Sequence, residues 1–290
     1  MTNKQLIVDE ETKGKRFDVV AAEMLPMLSR AYVHVLIKDK RILLNGEQQK
    51  PGYKLRKGDL ITSGFDESEI GQIADINLPV LYEDDNILII NKPEGILSHS
   101  RGRYWSEPSV ASFIRQKTGQ EGERSGIVHR LDRATSGLMI CAKNNETLAF
   151  LQNQFSKRKV KKTYVAIISG QIRPREAIID MPVERNPKRP STFRVGSKGK
   201  SAVTKYSVME DNGEHSMLKI EPITGRTHQL RVHLAKVGHP IVGDSLYGGS
   251  PNTRLMLHAS SLGIILPSGE FHEFEAPLPE IFNLYGVTQK

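Results

Sequence analysis

The stretch Ile127-Val128-His129-Arg130-Leu131-Asp132-Arg133-Ala134-Thr135-Ser136-Gly137 decides how the larger part of this chain is read. It opens on an apolar pair and runs into the apolar residues Leu138 to Ala142, which read as a strand. Between them lie three charges, Arg130, Asp132 and Arg133, followed by small and hydroxyl-bearing residues that suit a tight loop beside a cleft. A carboxylate there can serve as nucleophile or base if it is partly desolvated and still ionised, and a neighbouring guanidinium favours the ionised form. The plain alternative is a surface ion pair, the usual fate of Asp in an Arg-rich turn. The rest of the chain has to decide between the two.

The 290 residues, 38% hydrophobic and 26% charged, fit a soluble globular protein with room for two domains. A net charge of +8 favours polyanions such as nucleic acid, although many basic proteins bind none. The single cysteine, Cys141, rules out a disulfide framework and a thiolate metal cluster and points to a reducing compartment. Its place in an apolar run reads as a small buried hydrophobe. The start MTNKQLIVDEETKGKR is too polar and acidic for a signal or transit peptide, and no run of about eighteen apolar residues occurs. The expectation is a cytoplasmic protein without membrane contact.

Leu6 to Val8 reads as a short strand, and Phe17 to Met24 and Ser29 to Ile37 as two helices separated at Pro26, with Ser29 as N-cap. Ile42 to Leu44, the turn pair Asn45-Gly46 and a polar strand toward Lys50 predict a hairpin, and Leu60-Ile61 another strand. The acidic, glycine-containing residues 66–77 read as a linker. Beyond it, strands are expected at Val80 to Tyr82, Asn86 to Asn91, Thr163 to Ser169, Thr192 to Val195, Ala202 to Met209 and Met217 to Glu221. Helices are expected at Ser109 to Thr118, Glu146 to Arg158 and near Thr227 to Val237. The mixture lacks strict βαβ alternation, which predicts an α+β fold with a mostly antiparallel sheet.

Three kinds of motif fall away. Gly196 to Ser201 (GSKGKS) has two residues between its glycines where a phosphate-cradling P-loop needs four, so it reads as a basic loop. His228 and His233 stand five apart, without the glutamate of a HExxH zinc site. No GxSxG elbow is present.

Two resemblances settle the reading. The run from Arg16 to Ile61 (RFDVVAAEMLPMLSRAYVHVLIKDKRILLNGEQQKPGYKLRKGDLI) resembles the small RNA-binding domain named after ribosomal protein S4, with Lys40 where that family usually has glycine. The resemblance implies phosphate contacts for Arg16, Ser29, Arg30, Lys38, Arg41 and Lys54. HRLDRATSGLMICAKN, KKTYVAIISG and PITGRTHQLRVHLAKVGHPIVGD together resemble the RluA-type pseudouridine synthases from about Leu78 to Pro279. The domains implied are an RNA-binding domain at 14–65, the linker at 66–77 and a catalytic domain at 78–290.

That second resemblance implies an RNA pseudouridine synthase, with ribosomal large-subunit RNA as the expected partner. It makes Asp132 the catalytic carboxylate, Tyr164 the aromatic that stacks on the target base and a candidate base for a late proton removal, and Arg231 the partner of Asp132. Arg130 becomes the side chain that enters the RNA stack where the base has left. Arg226 is the rival for the ion pair or a phosphate contact, and Leu257-His258-Ala259 is expected at the pocket floor. The basic runs Lys157 to Lys162, with Lys161 and Lys162, and Arg185 to Lys200 are assigned to the RNA backbone. Without the resemblance Tyr164 reads as a core tyrosine and Arg231 as a helix-surface arginine. Isomerisation has no net redox change or hydrolysis, so no cofactor or metal is expected, and the protein is expected to act as a monomer. Competing readings are a transfer RNA synthase, a silent RNA-binding assembly factor and a hydrolase that releases uracil.

Overall fold

The structure, a computed structural model, describes residues 4–66, 75–99, 107–119 and 125–285. Their contacts form two compact units, one from the described residues of 1–76 and 99–125, the other from those of 77–98 and 126–285. The linker expected at 66–77 falls mostly outside the described residues. Among the described residues no helix is long and apolar enough to cross a membrane.

In the first unit β1 (Lys4–Ile7), α1 (Phe17–Met24), α2 (Arg30–Lys38), β2 (Ile42–Leu44) and β3 (Leu60–Ser63) follow one another. β3 lies between β1 and β2, antiparallel to both. α1 buries Phe17, Val20 and Ala21, and α2 buries Tyr32, Val33, Leu36 and Ile37, the three-and-four spacing expected of amphipathic helices. Both stripes close over Ile42, Leu44, Leu55 and Ile61. Each such side chain contributes about 1.5–3 kcal/mol by leaving water. The Ser29 hydroxyl accepts the Tyr32 N–H at 3.1 Å and caps α2 as the sequence predicts.

α2 ends in a Schellman motif. Lys40 has φ +59, its N–H meets the Ile37 carbonyl, and the Arg41 N–H reaches back to the Leu36 carbonyl at 2.8 Å. A lysine therefore holds a left-handed position that favours glycine.

The hairpin expected after β2 is only partly present. Asn45 and Gly46 turn with φ +52 and +77, and Leu44 bridges Glu47, but residues 48–50 form no strand. The Asn45 side chain explains this. Its oxygen accepts the Leu60 N–H at 2.8 Å and its amide donates to Asp59 at 3.0 Å, so β2 is delivered to the apolar β3 rather than to the polar Gln48-Gln49-Lys50. The helix α3 (Val110–Thr118) also groups with this unit. It starts from a capping box of Ser109 and Ser112 and stops at Gly119, φ +69.

The second unit contains β4 (Val80–Glu83), β5 (Ile87–Lys92), β6 (Ser136–Ala142), α4 (Asn145–Ser156), β7 (Lys161–Ser169), β8 (Glu176–Asp180), β9 (Val183–Arg185) and β10 (Phe193–Val195). It continues with β11 (Val203–Asp211), β12 (His215–Pro222), α5 (Gln229–Lys236), β13 (Leu257–Ile265), β14 (Phe271–Glu275) and a 3-10 turn at Glu280–Tyr285. Nine strands make one sheet in the order β4-β5-β6-β13-β7-β12-β11-β8, with β14 on the outer half of β13. Every neighbouring pair is antiparallel except β6 and β13. β9 and β10 form a separate ribbon.

The parallel contact explains one glycine. Gly137 has φ +115, and a Cβ there would stand 2.3 Å from the Ala259 carbonyl oxygen, so no side chain fits where β6 meets β13. Cys141 is buried in β6 beside Ile140 and Ala142, and burial pushes its thiol above the usual range.

Candidate active site

The loop from His129 to Thr135 is held before β6 by its backbone. The Thr135 N–H returns to the Asp132 carbonyl at 3.0 Å, and the Ser98 hydroxyl both donates to the Leu131 carbonyl at 2.8 Å and accepts the Leu131 N–H at 3.0 Å. Arg133 answers for its place in the motif. Its carbonyl accepts from the Gly95 N–H at 2.8 Å and the Lys92 ammonium at 3.3 Å, and its own Nε donates to the Gly95 carbonyl at 2.9 Å. Lys92 is fully buried and also donates to the Pro93 and Ile96 carbonyls. Burial pulls its pKa down to about 7, against the charge of Asp132. At the loop's exit the Ser136 hydroxyl accepts from Arg254 and meets His258 Nδ1 at 2.8 Å. Asp132 is thus presented by a loop fixed on both sides, with its side chain 18% exposed.

The facing wall is the turn Pro222 to His228 and the start of α5. Gln229, 4% exposed, ties this turn down: its carbonyl accepts from the Thr224 hydroxyl at 2.7 Å and the Arg226 N–H at 3.0 Å, while its amide donates to Val203 and Thr204. α5 then carries Arg231 inward, 5% exposed. Its Nε and Nη2 each donate to Asp244 at 2.7 Å, its guanidinium lies 5.1 Å from the Tyr247 ring centre, and Nη1 faces Asp132 Oδ2 at 3.7 Å. His228 Nε2 faces the same oxygen at 3.8 Å. Arg226, the rival for Asp132, instead donates through Nε to the Ser201 carbonyl at 3.0 Å.

β7 supplies the third wall. Alternation along a strand puts Lys162 and Tyr164 on one face and Lys161 on the other. Lys162 and Tyr164 line the cavity, whereas the Lys161 ammonium sits 5.3 Å from the Phe271 ring centre. Burial, and then the charge of Asp132, push the Tyr164 hydroxyl well above the ordinary phenol range, so it stays protonated at neutral pH.

Asp132, Tyr164 and Arg231 thus line one cavity of about 440 Å³, a size suited to a small ligand. Arg130, Arg158, Lys162 and Arg226 line it too, so five Arg and Lys side chains including Arg231 surround one carboxylate, Asp132. Lys162 is partly desolvated, which lowers its pKa, and has no carboxylate within 4 Å among the described residues. Such a cavity suits an anion. Leu257 is on its wall as expected, while His258 and Ala259 face the β6 contact behind it. The GSKGKS loop joins β10 to β11, with Gly199 against the Val183 backbone.

In the first unit Arg16, Arg30 and His34 converge on one fully buried carboxylate, Asp18. Arg16 Nε lies 2.9 Å from Oδ1, Arg30 Nη2 lies 2.7 Å from Oδ2, and His34 Nε2 meets the same oxygen. Burial alone would raise the Asp18 pKa, but hydrogen bonds from Arg16, His34 and Arg30 hold it well below the usual carboxylate range. Both arginines remain about half exposed, as fixed surface cations. Lys38 and Lys54 are exposed, Arg41 lies over Phe65 at 5.6 Å, and Ser29 is occupied as the helix cap.

Sequence reasoning gave no role to Asp244, Tyr247 or Lys92, and considered His228 only as a zinc ligand. The signal for Asp244 was chemical: a buried arginine needs a carboxylate besides the one it serves.

The RNA pseudouridylate synthase family matches residues 86–236, and the S4 domain family matches residues 15–61. The Ribosomal large subunit pseudouridine synthase D of Borreliella burgdorferi is 37% identical over 89% of this chain and 83% of its own. The protein of that name from Escherichia coli K12 is 35% identical over 94% and 90%. Among solved structures, human RNA Pseudouridylate Synthase Domain Containing 1 superposes with a TM-score of 0.59 at 30% identity, over 69% of this chain and 83% of that one.

Proposed function

The chain belongs to the RNA pseudouridylate synthase family and is an RNA pseudouridine synthase with an N-terminal S4 domain, and on that premise we propose that its substrate is large-subunit ribosomal RNA. The name of the Borreliella and Escherichia relatives, matched along most of both chains, supports that substrate. We assign RNA binding to 14–65 and catalysis to 78–290, joined at 66–77, in a cytoplasmic monomer. The observation that carries the mechanism is the gathering of Asp132, Tyr164, Arg231 and four further cations around one cavity.

A uridine inside folded RNA hides its sugar carbon and ring face, so the target must flip out, at a cost of a few kcal/mol of stacking. Tyr164 receives the base by stacking, and Arg130, exposed at the cavity, fills the gap left in the RNA. Asp132 is the nucleophile as the bond between C1′ and N1 breaks, with Arg231 as its counter-charge. The freed uracil anion turns and its C5 attacks C1′, which breaks the ester bond to Asp132 and returns the carboxylate. That carboxylate takes the C5 proton, and N1 gains a proton from solvent, so the isomerisation is neutral overall. Tyr164 enters as stacking partner rather than base, because a base would have to be the phenolate that burial disfavours. Lys162 and Arg226 hold phosphates in the cavity, while Arg16, Arg30, Lys38, Arg41, Lys54 and Lys161 hold them outside it; Ser29 orders α2 among them.

The test is a map of pseudouridines in ribosomal and transfer RNA from cells lacking the protein, complemented by wild type or by Asp132→Asn. Sites lost from large-subunit RNA and restored by wild type alone are expected. Loss confined to transfer RNA, loss of no site, or release of free uracil would each overturn the proposal.

A further inference from the structure

We infer that His228 is a positioning residue for the Asp132 carboxylate, set in a single tautomer by Tyr247 and tied through it to the basic ribbon of β9 and β10. The inference rests on the reading of Asp132 as nucleophile.

The hydrogen bonds fix the proton. The Phe193 N–H donates to the Tyr247 hydroxyl oxygen at 2.9 Å, and the hydroxyl has His228 Nδ1 2.7 Å away. With one lone pair taken by Phe193, the hydroxyl donates its proton to Nδ1, which leaves the imidazole proton on Nε2. That nitrogen is the one facing Asp132 Oδ2 at 3.8 Å. The opposite tautomer would aim a lone pair at a carboxylate and leave the tyrosine proton without its acceptor. The groups around the ring are Asp132 and Arg130 from one loop, Arg231 from α5, and Asp244 and Tyr247 from the segment after it. Burial outweighs the pull of Asp132 and keeps the ring neutral. His228 therefore offers an uncharged N–H to an oxygen that already has a guanidinium at 3.7 Å. A second cation there would quench the nucleophile that a neutral donor merely orients.

The ring is held in place. His228 sits at φ +56, a strained conformation that persists where the surroundings over-determine it, as they do at active sites. Phe193 and Tyr247 meet it edge-on, with centroids 5.5 and 5.6 Å away. The 3.8 Å separation is longer than a hydrogen bond, and a closure of about one ångström would complete it, as catalytic contacts tighten with substrate bound. Phe193 opens β10, with the Arg185 guanidinium 5.5 Å from its ring centre, in the ribbon that also carries Lys188, Arg189 and Arg194. RNA phosphates gripping this ribbon would act on the far end of the chain of contacts that orients Asp132.

The test uses the full-length enzyme. Nitrogen-15 spectra of labelled histidine should show His228 protonated on Nε2 in wild type and a mixture of tautomers in Tyr247→Phe. With an RNA fragment as substrate, Tyr247→Phe should lower kcat about tenfold, the scale of one lost hydrogen bond, and leave KM unchanged. His228→Gln, which keeps a donor, should retain several-fold more kcat than His228→Ala, since both carry the same backbone strain. An Nδ1-protonated wild-type ring, equal losses in the Gln and Ala variants, or an effect of Tyr247→Phe on KM alone would overturn the inference. The tautomer is read without substrate, so it stands or falls apart from the RNA assignment; an Asp132→Asn enzyme that still turned over would instead sink the nucleophile reading itself.

Discussion

Arg231 gives Asp244 two hydrogen bonds of 2.7 Å and leaves Asp132 a single approach of 3.7 Å. The tight pair is the one behind the cavity. Asp244, 1% exposed, fixes the guanidinium, and Asp132 keeps its oxygens open toward the space where a substrate would sit.

Asp244→Asn should therefore damage both folding and turnover. Removing one partner of a buried pair leaves an uncompensated cation and costs about 3–5 kcal/mol. Thermal unfolding and kcat would both fall. A variant with wild-type stability would show that Asp132 alone suffices to hold Arg231.

Asp132→Asn is expected to separate the two effects. The amide has almost the same shape and is a poor nucleophile, so pseudouridine formation should vanish. RNA affinity, measured by filter binding, should stay within about twofold, because the binding is carried by cations elsewhere.

Lys40→Gly should stabilise the first unit by about 0.5–1 kcal/mol, since glycine accepts φ +59 without the penalty of a Cβ. Urea unfolding measures this. Unchanged stability would mean that the greater freedom of glycine in the unfolded chain cancels the gain.

Acid should weaken the second unit from near pH 6.5 downward. His258 is fully buried beside Ser136 and Arg254, and burial holds its pKa down to about 4. The unfolded chain takes up a proton near pH 6.5 that the folded chain refuses until about pH 4, so stability falls as pH falls through that window and is fully present above it. The loss is on the order of 3 kcal/mol. Replacing His258 by Asn should flatten the slope of unfolding free energy against pH in that range.

Helices were legible where three-and-four spacing met a cap, as at Ser29 and Ser109. Strand β13 was not, because its Leu-His-Ala-Ser-Ser-Leu-Gly-Ile-Ile neither alternates nor runs apolar, yet it stands between β6 and β7. The polar strand toward Lys50 failed for a related reason: Asn45 is drawn to Leu60 and Asp59 by contacts fifteen and fourteen residues away that no local pattern reveals. Asp132, Tyr164 and Arg231 were singled out by the resemblance of three motifs to a known family and do line one cavity, whereas Asp244 and Tyr247 depend on how the segment after α5 folds back.

The parallel contact of Gly137 with Ala259 has a consequence in time. A ribosome delivers β6 long before β13, and the loop bearing Asp132 is locked from behind by Ser136, His258 and Arg254 only once that late strand arrives. Long-range pairing of this kind is slow to form. The growing chain would thus emerge with its first unit already foldable and the loop of Asp132 not yet locked from behind.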